Sequence, residues 1–131
     1  MSKIWDVAIV GSGPAGSMSA MTLAKAGFDV VLIEKDKLPR YKVCGGAIPQ
    51  EFVELMKIPD EIIERKFDTL ILHHLGDEIY RKGEGACVWR SDLDKFMTDL
   101  AVNANSTLLE GNKIIKASSK NQKFTLSTKN S

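Results

Sequence analysis

Two short stretches of this sequence carry residue types at spacings that imply chemistry. The first is Gly11-Ser12-Gly13-Pro14-Ala15-Gly16, a G-x-G-x-x-G pattern. Its first glycine allows a tight turn, its second lets a pyrophosphate approach the backbone, and its third lets a helix pack closely on a strand. The exposed N–H groups and positive dipole end of that helix then hold phosphate oxygens. Glu34 follows about twenty residues later, where a ribose hydroxyl needs an acceptor. A carboxylate at that point repels a 2′-phosphate, so the pattern disfavours NADP and leaves FAD and NAD open.

The second stretch is "RYKVCGG", Arg40 to Gly46. Cys44 is a candidate nucleophile, but a free thiol with a pKa near 8.5 needs a cationic neighbour to ionise at neutral pH. Arg40 and Lys42 are close in sequence, yet no acid or base partner is evident. Gly45 and Gly46 lack Cβ atoms and so let the backbone lie against something flat. A metal role is not expected. Cys44 and Cys87 are too sparse a pair for a zinc pattern or a disulfide scaffold, and His73 and His74, adjacent in a predicted strand, point to opposite faces. Cys87 reads as a small buried residue in a short strand.

These groups need a strand, a turn, a helix and a second strand to hold them, and the flanking sequence supplies that order. "WDVAIVG" is a short apolar run ending in glycine, which predicts a buried strand of a parallel sheet. Pro14 to Ala26 is rich in helix formers, with Gly27 as the stop, and "FDVVLIEK" predicts a second buried strand. Beyond Lys35 comes a charged, proline-containing loop. Gln50 to Lys57 and Asp60 to Lys66 predict two short helices separated by Pro59. "FDTLILHHL" and "DEIYRKG" predict strands around Gly76-Asp77, with "ACVWR" as a third. "SDLDKFMTDLAVNAN" puts Leu93, Phe96, Met97, Leu100 and Ala101 on one helical stripe with Ser91 as N-cap. The last segments predict a strand returning to the sheet and the start of a β-meander, whose lysines 113, 116, 120, 123 and 129 suit a solvated strand edge.

The 131 residues suffice for one modest core, and 44% hydrophobic with 27% charged residues exclude a disordered or fibrous chain. A net charge of +1 gives no case for a nucleic-acid partner. No apolar run approaches the ~20 residues of a membrane span, and the N-terminal run is too short for a signal peptide. Sparse cysteines fit a reducing cytoplasm.

"DVAIVGSGPAGSMSAMTLAKAGFDVVLIEK" resembles the N-terminal FAD fingerprint of flavoproteins, with Pro14-Ala15 inside the glycine loop. Further on, "KLPRYKVCGGAIP" followed by "VWRSDLDKFMTDLA" is similar to the geranylgeranyl reductase family, which shares its general fold with the aromatic hydroxylases. The resemblance covers Asp6 to Ala104 and is most specific in the Cys-Gly-Gly loop. It implies an α/β fold: a Rossmann-like FAD-binding domain with a βαβ N-terminus and a β-meander. Residues 1–131 would be the N-terminal part of that domain, truncated, with small strands and helices inserted at about 40–90 and no second domain visible.

The resemblance also implies site roles. Gly11, Gly13, Pro14, Ala15 and Gly16 would hold the FAD pyrophosphate, and Glu34, with Lys35 beside it, the adenosine ribose. Arg40 would lie beside the cofactor, while Cys44, Gly45, Gly46 and Ala47 line the flavin. Arg90 would contact FAD, its guanidinium fork suiting a phosphate or flavin oxygen. Ile114 would offer backbone groups to adenine. Cys44 is the candidate catalytic residue. Two departures stand against the family pattern: the second FAD element, a Gly-Asp motif, is absent from the chain, and Ala47 replaces a frequent third glycine.

The implied activity is an FAD-dependent reductase that saturates carbon–carbon double bonds of an isoprenoid lipid, fed by an external electron donor and in peripheral contact with a membrane. Three alternatives remain open. They are a flavin monooxygenase of the aromatic hydroxylase type, a truncated nucleotide-binding module without activity of its own, and an NAD-binding dehydrogenase half.

Overall fold

Runs of β-branched and aliphatic residues form the first two strands, β1 (Val7–Val10) and β2 (Val30–Ile33), joined through helix α1 (Pro14–Lys25). They are seen in a computed structural model that describes residues 3–128, so Lys129 lies outside the described residues. The chain divides into two compact units, Met1–Arg40 with Asp94–Ser131, and Tyr41–Leu93.

In the first unit, β1 and β2 run parallel with Val7 opposite Val30 and Val10 opposite Ile33. Strand β6 (Thr107–Leu109) adds in parallel to the other side of β2, giving the order β1-β2-β6. The expected βαβ start and α/β class are therefore present. Full burial holds for β2, the central strand, whose four residues are all buried. It fails for β1, which alternates between half-buried and exposed and leaves Val10 58% exposed. The reason is position: β1 is at the sheet edge, and its Val7 and Ile9 pack on the cluster of Ala20, Val30, Leu32 and Ala101 while the alternate residues face away. Gly27, at φ +92°, ends α1 as expected, with its N–H donating to the Ala24 carbonyl.

Gly16 is the residue that lets α1 sit so close to β1. A Cβ there would fall on the Gly11 carbonyl oxygen and lie 3.4 Å from Ile9 Cγ2. Helix α3 (Arg90–Asn103) buries Leu93, Met97 and Ala101 from the expected stripe, with Phe96 and Leu100 half-buried. Ser91 is not its N-cap. The helix already starts at Arg90, the N–H groups of Asp92 and Leu93 donate to the Trp89 carbonyl, and the Ser91 hydroxyl turns to the Asp92 carboxylate instead. Strands β7 (Ile114–Lys120) and β8 (Lys123–Thr128) form an antiparallel hairpin. Its two-residue turn is made by Asn121 and Gln122, both at positive φ, which matches the twist of the strands.

The second unit is an antiparallel sheet of order β3-β5-β4, from β3 (Ala47–Pro49), β4 (Ile63–His74) and β5 (Asp77–Val88), with helix α2 (Gln50–Met56). Four sequence expectations change here. The second short helix is a single 3-10 turn, Asp60–Ile62, because Ile63 to Lys66 pair with Val88 to Ala86 as strand. "DEIYRKG" and "ACV" are one twelve-residue strand, since Gly83, at a register shift, and Gly85, paired with Phe67, lie inside it rather than ending it. The hairpin turn is Leu75-Gly76, both at positive φ, one residue earlier than expected. Cys87 lies on this long strand and is half-buried rather than buried.

Two glycines of this unit are fixed by neighbouring backbone. A Cβ on Gly85 would meet the Ile48 carbonyl and the Phe67 ring. Gly46, at φ +70°, hydrogen-bonds the Val88 N–H through its carbonyl at 3.0 Å, and a Cβ there would fall on the Val88 carbonyl oxygen. Gly45, by contrast, has open space where a Cβ would go. Urea unfolding should therefore show G46A destabilised by at least about 2 kcal/mol and G45A within about 0.5 kcal/mol of the parent; equal effects at the two positions would contradict this packing.

Candidate functional site

The turn between β1 and α1 is built to leave donors exposed. Gly11 takes φ +99°, and its N–H donates to the Ile33 carbonyl at 2.7 Å, which ties the turn to the end of β2. Gly13 is the N-cap of α1 and Pro14 its first helical residue. No side chain caps this helix, and its first turn holds no acid. A helix start of this kind presents backbone N–H groups and positive potential to an anion.

Glu34, directly after β2, is buried, with its side chain 3% exposed. The Ser12 N–H and the Ser12 hydroxyl both donate to its Oε2, at 3.0 and 2.9 Å, and the Asp36 N–H donates to Oε1 at 3.1 Å. Burial pushes this carboxyl up, but the Ser12 and Asp36 N–H groups, the Ser12 hydroxyl and the Arg40 charge outweigh it. The pKa falls from 4.5 to about 2. Glu34 therefore stays an anion that can only accept. A carboxylate offers about four acceptor sites, so the three hydrogen bonds leave room for a ribose hydroxyl. Lys35 forms an exposed ion pair with Asp36 at 3.8 Å.

Arg40 is drawn into this cluster rather than left open. Its Nε lies 3.3 Å from Glu34 Oε2 as an ion pair without hydrogen-bond geometry, and its Nη1 lies 3.0 Å from Asp94 Oδ2. Asp94 comes from α3, as does Thr98 one turn later. Thr98 Oγ1 is 3.1 Å from Ser17 Oγ and 3.4 Å from the Ser12 carbonyl, which also accepts from Ser17 Oγ at 3.2 Å. Ser12, Ser17, Asp94 and Thr98 are all completely buried. Sequence reasoning missed these four. The one available signal was the i, i+4 spacing of Asp94 and Thr98 directly beside Leu93 and Met97, which sets two polar groups against the apolar stripe of α3. The segment before β7 also meets the end of β2: the Asn112 N–H donates to the Glu34 carbonyl at 2.9 Å and the Gly111 N–H to the Asp36 carbonyl at 3.3 Å. Ile114 opens β7 two residues further on.

In the second unit, Cys44 and Gly45 are exposed, Gly46 is buried, and Ala47 pairs with Cys87. The Gly46 N–H lies 3.4 Å from Cys44 Sγ. That contact, then a hydrogen bond from the Arg90 side chain and the charges of Arg90 and Lys42, pull the Cys44 thiol below its usual pKa against a smaller desolvation effect. Arg90 thus joins Lys42 as a cationic neighbour of Cys44, while Arg40, the other cation near in sequence, pairs with Glu34 and Asp94. Gly46 is required by Val88, a reason different from approach to a flat ring, whereas the space beside Gly45 is open.

A glycine turn at an uncapped helix start, with an ionised acid at the end of the next parallel strand, defines a dinucleotide-binding domain, and comparison with known proteins identifies the dinucleotide. Residues 5–101 match the family described as FAD binding domain. The chain belongs to that family, and FAD is its cofactor. Its sequence is 37% identical over 112 residues to the chloroplastic geranylgeranyl diphosphate reductase of Nicotiana tabacum, covering 80% of this chain and 24% of that one. It is 32% identical over 106 residues to the digeranylgeranylglycerophospholipid reductase of Haloferax volcanii, covering 77% and 26%. The resemblance to the N-terminal portion of geranylgeranyl reductases is thereby borne out. In structure, a geranylgeranyl bacteriochlorophyll reductase-like protein from Thermoplasma acidophilum has the same fold, with a TM-score of 0.83 at 21% identity over 97% of this chain and 36% of that one. A flavin-dependent brominase shares it too, with a TM-score of 0.79 at 20% identity over 95% and 35%. The chain therefore spans between about a quarter and about a third of the length of these relatives.

The depressed Glu34 pKa makes a stability signature. The carboxylate contributes fully above pH 4.5, its ordinary value, and that contribution is lost as pH falls toward about 2. Urea unfolding of the parent and of E34Q should differ by a constant amount above pH 4.5, on the order of 3 kcal/mol, and the gap should close between pH 4.5 and about 2. A gap independent of pH would show that Glu34 is not held as described.

Proposed function

We propose that the intact protein is an FAD-dependent reductase that saturates carbon–carbon double bonds of an isoprenoid lipid. The observation that carries this reading is the relatives: within the FAD binding domain family, this chain is similar to reductases named for geranylgeranyl substrates from a plant and an archaeon. In this reading the backbone of Gly11, Gly13, Pro14, Ala15 and Gly16 holds the pyrophosphate, and Glu34, with Lys35 at its side, accepts from the adenosine ribose. Ile114 offers backbone to adenine. Cys44, Gly45, Gly46 and Ala47 line the flavin, and Arg90 binds a flavin or phosphate oxygen. The open helix start at Gly13 and the ionised Glu34 support the fit of these residues to FAD.

Saturating a double bond requires a hydride at one carbon and a proton at the other. The bound flavin, once reduced by an external donor, supplies the hydride. The proton needs a group with a pKa near the working pH. Cys44 is the candidate catalytic residue for that step, since Gly46 and Arg90 draw its thiol down from its ordinary range. After donation the thiolate sits beside the Arg90 guanidinium and regains its proton from water. The compartment proposed is the cytoplasm. A lipid substrate brings the protein to a membrane surface, and among the described residues no helix is long and apolar enough to cross one.

The direct test is to reduce the intact holoprotein with dithionite under anaerobic conditions and add a geranylgeranyl lipid. Flavin reoxidation with formation of the saturated chain is expected, and no reoxidation would sink the reading. In the same assay C44A should lower the reduction rate by about a hundredfold while FAD remains bound; an unchanged rate would leave Cys44 a packing residue.

A further inference from the structure

Helix α3 grips the nucleotide turn. Two α3 side chains one turn apart reach it, by different means. Thr98 does so directly, at the Ser12 carbonyl and the Ser17 hydroxyl. Asp94 does so through Arg40, which bridges it to Glu34. Arg40 is only 12% exposed, and the two carboxylates it joins are 3% and 0% exposed. One guanidinium holds both carboxylates in a nearly dry cluster. Their placement is set by geometry, because the guanidinium is a rigid plane. If Asp94 holds one edge of the plane, Nε is fixed against Glu34 Oε2, the same oxygen that takes both Ser12 donors. The position of the carboxylate and the shape of the turn are therefore tied to a residue on another helix.

We propose that Asp94 is a positioning residue for the cofactor: by clamping Arg40 it orients the Glu34 carboxylate toward the adenosine ribose and holds the Ser12 turn in the shape that receives the pyrophosphate. The inference rests on the reading of Glu34 as the ribose acceptor, and it assigns Arg40 a different task from direct cofactor contact. Arg40 has its Nε and Nη1 directed at Glu34 and Asp94, so its charge serves the protein's own carboxylates. The effect on the ligand is indirect and selective. Removing the clamp weakens recognition of ribose hydroxyls more than it weakens attraction of phosphate, since the uncapped start of α1 is left unchanged.

The test uses the intact protein, freed of cofactor, and three probes: FAD, ADP and 2′,3′-dideoxy-ADP. In the parent, ADP should bind about tenfold or more tighter than its dideoxy analogue, as expected when hydroxyls donate to an ionised acceptor. D94N should reduce that ratio to within about twofold and weaken FAD about tenfold, while D92N, an exposed change on the same helix, should leave both unchanged. R40M should behave as D94N does, and the double variant R40M/D94N should bind FAD no more weakly than R40M alone, because the two residues act in series. A folded D94N that keeps the parent ratio overturns the proposal, as do penalties that add in the double variant. Should D94N lose its helical circular dichroism, R40M is read on the same ratio, and an unchanged ratio there overturns the proposal equally. If the parent binds neither FAD nor ADP, the ribose-acceptor reading fails and this inference with it. If it binds both and the variants keep the ratio, the inference alone fails.

Discussion

One buried carboxylate organises the nucleotide-binding half of this chain. Glu34 lies at the point where β2 ends, and it is held from three places: by hydrogen bonds from Ser12 of the glycine turn and from Asp36 of its own loop, and by the charge of Arg40. A bare carboxylate in such surroundings would protonate, because burial opposes its charge. Here the donors reverse that outcome and bring the pKa to about 2. The same contacts that keep it charged also fix the turn between β1 and α1. On the proposed reading, cofactor recognition and local stability share one set of hydrogen bonds.

The fold serves this arrangement through close packing at glycine. Gly16 lets α1 approach β1, and Gly11 adopts the positive φ that brings its N–H to Ile33. With helix and strand so placed, the N-terminus of α1 faces out without a side-chain cap. Helix α3 then adds a polar edge, Asp94 and Thr98, beside its apolar stripe. Buried polar groups are tolerated when their bonds are made, and here those bonds converge on the turn.

Much of this was legible in the sequence, for identifiable reasons. The glycine spacing and the acid after β2 are local signals, so the βαβ start and the nucleotide turn could be read from short windows. The apolar stripe of α3 was equally local. What escaped was long-range: the Arg40–Asp94 contact joins residues more than fifty positions apart, and the bond from Ser12 to Glu34 spans 22. Burial of β1 was overestimated because an edge strand and a central strand have the same composition and differ only in their neighbours. The second unit was misread where Ile63 to Lys66 carried helix-compatible residues that strand pairing with β5 overrode. At Gly46 the requirement set by Val88 of the same sheet was equally long-range and had no local signal.

The functional claim depends on flavin bound through this Glu34-centred turn in a reductase. Its most direct measurement is the absorbance spectrum of the purified intact protein together with the mass of the ligand released on denaturation. A yellow protein carrying FAD, and losing it in E34Q, is the predicted result. A colourless protein that takes up no FAD on reconstitution, or one that releases a nicotinamide dinucleotide, would contradict it.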